Sequence, residues 1–236
     1  RKCCRIGYRS KIKGGEYKLN YLKRITKFRE FIIFSIVAGV FVIMTIASPY
    51  FLNKANLLAL MLGLSIEVMI AVAMANLMVS GGFDMSVGSV VAFTGALTAM
   101  LITSGVPVIF GVLIGLCLGA AIGLFNGFIV SKIGINPFVT TLASLSLFRG
   151  LTLIVTKGRN ISGLPDSFKT IGQSNFFGIQ SPIWIAVILI VVGDIILRKS
   201  RFFRQNYYIG GNEKAARLSG INVDKMKILN YMLTGL

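Results

Sequence analysis

Apolar residues run in long blocks along this chain, and polar residues gather between the blocks. A helix that crosses a bilayer needs about 20 apolar residues. Six blocks fit that reading. The first is Phe31–Ser48, and the second and third share Leu57–Ser104. As one helix the 48 residues of that stretch would reach roughly 72 Å. The hydrocarbon core is only about 30 Å thick, so the stretch must turn. Gly81 and Gly82 are the natural place for it. The fourth block is Val108–Val130, the fifth Phe138–Val155 and the sixth Ile183–Leu197, and a seventh starts near Tyr231. The pattern predicts an all-α, polytopic helical bundle of six spans plus the start of a seventh.

Composition supports the membrane class. Of 236 residues, 55% are hydrophobic and 14% charged, against about 25% charged in a soluble domain. The chain opens without Met and stops at "YMLTGL", just as an apolar run begins, so a piece of a longer protein is expected.

The formal net charge of +17 is unevenly spread. Residues 1–30 hold 11 Lys and Arg, and residues 198–229 hold 8. Basic blocks that flank apolar spans mark cytoplasmic loops. They argue for membrane lipid as a neighbour and against nucleic acid as a partner. With the N-terminus inside, residues 1–30, 131–136 and 198–229 face the cytoplasm and carry 20 basic residues, against 4 on the outer segments. The domain reading follows: a basic cytoplasmic segment over 1–30, then a membrane domain over 31–236 that contains a cytoplasmic segment at 198–229.

Several chemistries are excluded. The chain has no histidine, which rules out a Ser-His-Asp triad and a His-bearing zinc site. No Gly is followed by Lys, so there is no phosphate-binding loop of the Gly-x-x-x-x-Gly-Lys type. Cys3, Cys4 and Cys117 make no disulfide framework and read as free thiols. No metal cluster stands out, and no cofactor is expected in this chain.

Between Ala55 and Ser131 the only charged residues are Glu67 and Asp84. Glu67 shares a helix face with Gly63, Ala71 and Ala75. Small residues usually face other helices, so Glu67 is expected to point into protein or a water-filled cavity. It could line a substrate path or be a hydrogen-bonded structural acid. Asp84 follows the glycine pair in "GGFDMSVGSV". The favoured reading is a helix start, with Asp84 accepting backbone N–H bonds from Ser86 or Val87 as an N-cap. The alternative is a helix break within the membrane, which would make Gly81, Gly82, Asp84 and Ser86, with Glu67, part of a translocation path. In the fourth block Gly111, Gly115, Gly119, Gly123 and Gly127 recur every four residues and form a bare ridge on one face. Static close packing against another helix is favoured over a sliding surface.

The segment "RKSRFFRQNYYIGGNEKAARLSGINVDKMK" has its own helix grammar. Gly210 and Gly211 break the chain. Asn212 caps a short helix, and Glu213 suits its positive end. Gly220 closes it in the left-handed conformation, and Asn222 caps the next helix. So short a helix needs something to pack on. Ala215, Ala216 and Leu218 offer a face for a soluble partner, and Arg217 stands one turn from Glu213.

The blocks "SGGFDMSVGSVVAFTGAL", "NGFIVSKIGINPFVTTLASLSLFRGLTLI", "GLPDSF" and "YYIGGNEKAARLSGINVDKMK" occur in order. Together they resemble the permease subunits of ribose-type sugar ABC importers, from about Leu57 to the end. The resemblance implies a multi-pass permease in the bacterial cell membrane, paired with a second permease copy or a homologue. It implies a cytoplasmic ABC ATPase, which would hold the ATP and Mg, and an extracytoplasmic sugar-binding protein. It also implies that 210–227 contains a short coupling helix seated on the ATPase, with Gly210, Gly211, Asn212, Glu213, Ala215, Ala216, Arg217, Leu218 and Gly220 as candidate coupling residues. The competing reading is a stand-alone secondary transporter of a small polar solute.

Overall fold

The structure, a computed structural model, describes residues 29–236. The basic segment read over 1–30 therefore lies almost wholly outside the described residues. The described chain is nearly all helix, with one two-stranded hairpin. It divides into two compact units, Arg1–Ala59 and Leu60–Leu236.

In the first unit, α1 spans Arg29–Ala47. Its apolar side chains are exposed on all sides, among them Ile33, Phe34, Ile36, Val40 and Ile43. A helix apolar all round is built for lipid rather than for one buried face. Phe51 in the following turn stacks edge-on against Phe41, with ring centroids 4.9 Å apart.

Helix α2, Lys54–Val79, starts in the first unit and continues into the second. The second unit then contains α3 (Val87–Thr103), α4 (Val108–Phe128) and α5 (Pro137–Thr156). Helix α4 runs on into a π-helical turn, Ile129–Ile133, which ends at Gly134 with a left-handed φ of 82°. Asn136 caps α5 by accepting from the Phe138 N–H at 2.9 Å, and Pro137 occupies the first turn, where its missing N–H costs nothing. The short helix α6 (Asp166–Gln173) and the hairpin of β1 (Asn175–Phe176) and β2 (Ile179–Gln180) follow. Next comes α7 (Ser181–Lys199), then α8 (Gln205–Gly211), α9 (Glu213–Leu218) and α10 (Val223–Gly235).

Each of the six blocks read from the sequence contains one of these long helices. Among the described residues, four stretches are long and apolar enough to cross a membrane: Lys54–Val79, Val108–Ile133, Pro137–Thr156 and Ser181–Lys199. Phe31–Ala47 and Val87–Thr103 are apolar but shorter. The stretch 57–104 turns at Gly81–Gly82, where the pattern put it.

The core is layered. Val90, Ile122 and Phe148 join α3, α4 and α5, with Phe93 and Phe148 rings 5.5 Å apart. Leu77, Val130 and Tyr231 join α2, the π turn and α10. The glycine ridge of α4 serves two neighbours. A Cβ added at Gly111 or Gly115 would strike Ile102 or Thr98 of α3. One at Gly119, Gly123 or Gly127 would strike the backbone of α10 at Gly235, Tyr231 or Ile228. In lipid there is no hydrophobic drive between helices, so this backbone proximity supplies the packing attraction.

Candidate functional site

Three connectors meet at one end of the bundle: 80–86, 129–136 and 200–222. The Lys132 ammonium reaches Asp224 at 3.0 Å, and Ser131 Oγ donates to the Asp224 carbonyl at 3.2 Å. On the other side of this end, Gly210 sits so close to α2 that a Cβ would collide with the Val79 carbonyl, and its Cα lies against Gly81.

The Gly81–Gly82 pair closes α2. The Gly81 N–H donates to the Met78 carbonyl and the Gly82 N–H to the Leu77 carbonyl, each at 3.0 Å. This is a Schellman closure. It needs Gly81 because its φ is +80°, and Gly82 because a Cβ there would lie 2.6 Å from Leu77 Cδ1. Asp84 accepts the Ser86 N–H, as the sequence suggested, but it is not itself the N-cap. Helix α3 begins at Val87, and its N-cap, Ser86, makes no side-chain capping bond. Asp84 lies two residues before the cap and folds back in a local turn, where Oδ1 accepts from the Ser86 N–H at 2.7 Å and from Ser86 Oγ at 2.6 Å.

That carboxylate ends a buried polar chain. Ser144 Oγ of α5 donates to Asn126 Oδ1 of α4, Asn126 Nδ2 donates to Ser86 Oγ at 3.0 Å, and Ser86 Oγ donates to Asp84. All four residues are buried. Every hydrogen in the chain points toward Asp84, an arrangement in which each bond polarises the next. Tyr231 adds a cross-tie by donating to the Phe83 carbonyl at 3.0 Å. The chain therefore locks α3, α4 and α5 at their common end. Its groups bond one another: Asp84 to Ser86, Ser86 to Asn126 and Asn126 to Ser144.

Glu67 stands elsewhere. The face with Gly63, Ala71 and Ala75 is exposed along α2, and a Cβ on Gly63 would meet nothing within 4 Å. Glu67 is itself exposed on that face. Periodicity identified a face of small residues but could not say which neighbour covers it. Among the described residues no ion pair joins Glu67 to Arg149, which is also exposed.

The segment after α7 departs from its sequence reading in two ways. First, Gly210 and Gly211 do not break the chain; they form the last turn of α8. The break falls at Asn212, whose backbone is extended at φ −158° and ψ 102°. Gly210 is needed for its approach to α2, whereas Gly211 has open space around it. Second, Ala216 faces inward. It is 3% exposed and packs with Ile209, Val223 and Met226, so most of its surface serves the chain's own packing. Leu218, at 91% exposed, does face outward, with Ala215. Tyr207, Tyr208, Gly211, Asn212, Ala215, Ala216, Ser219 and Ile221 border a groove of about 500 Å³ between α8 and α9.

The capping grammar is as the sequence read it. Asn212 accepts from the Ala215 N–H at 3.0 Å, Asn222 accepts from the Lys225 N–H at 3.1 Å, and Gly220 has a φ of +83°. Charges then tie α9 to α10. Lys227 contacts Glu213 at 2.6 Å, while Arg217 bridges Glu213 at 3.1 Å and Asp224 at 2.5 Å. Hydrogen bonding from Lys227 holds the Glu213 carboxyl below its usual range, and Arg217 adds to this. Arg217 and then Lys132 do the same for Asp224.

Sequence reasoning missed a further set of buried residues: Asn126, Tyr231 and the trio Asn76, Asn206 and Asn230, which hydrogen-bond one another in a ring. The signal was present. Asn76 and Asn126 lie inside apolar helices, where an amide without partners is expensive.

The fold and this end of the bundle define a polytopic helical membrane protein with an ordered extramembrane segment. Residues 56–236 match the model of the family described as branched-chain amino acid transport system / permease component, and the chain belongs to that family. It is 40% identical over 197 residues to the ribose import permease protein RbsC of Bacillus subtilis (strain 168), covering 83% of this chain and 61% of that protein. It is 39% identical over 201 residues to the L-arabinose transport system permease protein AraH of Escherichia coli (strain K12), covering 85% and 61%. With the ribose import permease protein RbsC of Escherichia coli (strain K12) the identity is 38% over 198 residues, covering 82% and 62%. The chain thus spans about three-fifths of the length of these relatives. No solved structure matches.

Proposed function

We propose that this chain is part of the permease subunit of an ABC importer, in which it forms a share of the membrane pathway for a monosaccharide or related small polar solute. A separate cytoplasmic ATPase drives the movement, and ATP and Mg belong to that partner. An extracytoplasmic binding protein delivers the solute, and a second permease copy or a homologue completes the pathway. The names of the relatives, ribose import and L-arabinose transport permeases, support a sugar as cargo.

One observation carries the coupling part of this reading. Helix α9 is too short to persist alone, yet it is capped, ion-paired to α10, and holds Leu218 almost fully exposed. An apolar side chain held out by so many fixed contacts suits a protein partner. In this reading six helices span the membrane, α10 begins a seventh, and the end that carries α9 faces the cytoplasm, as does the N-terminus.

The test is reconstitution of the full-length protein in proteoliposomes with its ATPase and binding protein. ATP-dependent uptake of ribose or arabinose is expected. Uptake driven by an ion gradient without the ATPase would overturn the proposal.

A further inference from the structure

Asn76 of α2, Asn206 of α8 and Asn230 of α10 close a hydrogen-bonded ring. Asn206 Nδ2 donates to Asn76 Oδ1 at 2.8 Å, Asn76 Nδ2 to Asn230 Oδ1 at 3.0 Å, and Asn230 Nδ2 to Asn206 Oδ1 at 3.0 Å. Asn206 and Asn230 are wholly buried and Asn76 is 9% exposed. The three residues lie 130 and 24 positions apart in pairs, so the ring is purely tertiary. Each amide gives and receives, and none of the three appears among the buried groups left without a partner.

The ring stands where the extramembrane segment meets the membrane helices. Beside it, α8 also touches the end of α2 through bare backbone, Gly210 against Val79 and Gly81. Smooth backbone contacts can slide. Apolar contacts within a bilayer do not resist this, because lipid competes equally for them. Directional hydrogen bonds do resist it, since breaking the ring would leave buried amides unpaired. Helix α9 is fastened to α10 by its own means, through Ala216 packed with Val223 and Met226 and through the Glu213, Arg217, Asp224 and Lys227 charges. Among the described residues, only the ring adds α2 to this assembly by side-chain hydrogen bonds.

We propose that the Asn76–Asn206–Asn230 ring is the linkage that makes the end of α2, helix α8 and helix α10 one rigid piece, so that a displacement of the segment 205–222 is passed to two membrane helices together. These are positioning residues. The proposal rests on the importer reading for the source of the displacement, but the rigidity of the linkage can be measured without it.

The experiment uses full-length permease with its ATPase, in three forms: wild type, the Asn76→Leu/Asn206→Leu/Asn230→Leu variant and the isosteric Asn76→Asp variant. The triple variant removes the ring without orphaning any amide. The Asp variant still accepts from Asn206 and loses only its donation to Asn230. Spin labels at the exposed positions Met78 and Tyr208 report the distance distribution between α2 and α8. A narrow distribution is expected in wild type, a broad one in the triple variant and an intermediate one in Asn76→Asp. Solute moved per ATP hydrolysed should fall about tenfold in the triple variant, within the range over which coupling residues act. Purely structural asparagines would lower yield but leave that ratio unmoved. A distribution as narrow as wild type in both variants, or a ratio unchanged in both, overturns the linkage. A wild type with a narrow distribution and no ATP-driven uptake counts against the importer reading while supporting the rigid piece.

Discussion

The backbone of Gly123 lies against the carbonyl of Tyr231 so closely that a methyl group on Gly123 would occupy the space of that oxygen. A ridge of glycines on α4 is therefore a contact made by backbone on both sides, since Gly235 meets Gly119 and Gly123 in the same way. Gly123→Ala is expected to destabilise the protein by about 1–3 kcal/mol, the usual cost of overpacking. Gly95→Ala is the control, because that glycine of α3 has open space around it. There the change should be neutral or stabilising by up to about 1 kcal/mol, from helix propensity. Thermal unfolding in detergent separates the two. Equal melting temperatures would mean that α4 and α10 are not in contact.

The Asp84 chain predicts a different pair of outcomes. Asp84→Asn keeps an oxygen for the Ser86 N–H and hydroxyl, so most stability and transport should remain. Asp84→Ala leaves those donors buried without a partner, at a cost on the order of 1–3 kcal/mol. A well-folded but inactive Asp84→Asn protein would show that the charge itself serves transport.

What the sequence could and could not reveal follows from range. Helix identity, the Gly81–Gly82 turn, and the Asn212 and Asn222 caps are decided within four or five residues, and all are readable in the chain. The inward face of Ala216 depends on Val223 and Met226, and the need for Gly210 depends on Val79, more than a hundred residues away. The pairing of Asn126 with Ser86, 40 residues away, and with Ser144, 18 away, is likewise set by packing between helices. Each is a tertiary fact with no local pattern. Asn76 and Asn126 were the nearest to a signal, because polar amides in apolar helices call for partners without naming them.

The ion pairs between α9 and α10 give the segment a pH dependence of known sign. Glu213 and Asp224 are held below their ordinary carboxylate values in the folded protein. A depressed folded value means that the unfolded state binds protons first as pH falls. Their contribution is thus fully present above the ordinary carboxylate range of about 3.9–4.3 and is lost as pH drops through the lower folded values. Both carboxylates face only basic groups in these pairs: Lys227 and Arg217 at Glu213, Arg217 and Lys132 at Asp224. Protection of the Ala215 and Ala216 amides, taken relative to the unstructured exchange rate at each pH, should be flat at neutral pH and fall only in acid. Lys227→Met removes the principal partner of Glu213 and should move that fall to higher pH. An unchanged profile in the variant would mean that Lys227 does not hold Glu213 in solution. Because Glu213 is partly exposed, added salt should weaken the effect.

Orientation has its own test. Lys132 contacts Asp224 and so lies at the same end as the segment 200–222, while Lys169 lies on α6 between the far end of α5 and the start of α7. With Cys3, Cys4 and Cys117 removed, single cysteines at 132 and 204 should resist an impermeant reagent in intact cells, and one at 169 should react. Labelling of 204 from outside would reverse the orientation; labelling of 132 and 204 from opposite sides would contradict the fold.

The two faces of α9 separate folding from docking. Ala216 is buried against Ile209, Val223 and Met226, whereas Leu218 stands almost entirely in the open. A carboxylate at position 216 would have to enter an apolar cluster without a partner, so Ala216→Glu should unfold the segment itself. Its loss of ATPase binding would then be indirect. Leu218→Glu touches nothing within this chain and should leave the segment folded, with the Asn212 cap and the Arg217 pairs intact. If Leu218 seats in the ATPase, that change places a charge in the centre of a dry contact, where anchors are worth about 2 kcal/mol or more. At that size the affinity for the ATPase would fall about thirtyfold. The measurements are amide exchange of the segment in the isolated permease and titration with the ATPase. Normal exchange with weakened binding is expected for Leu218→Glu, and collapsed protection for Ala216→Glu. Full ATPase affinity in a folded Leu218→Glu protein would remove this helix from the interface and move the contact to the Tyr207–Tyr208 side of the groove or to another segment.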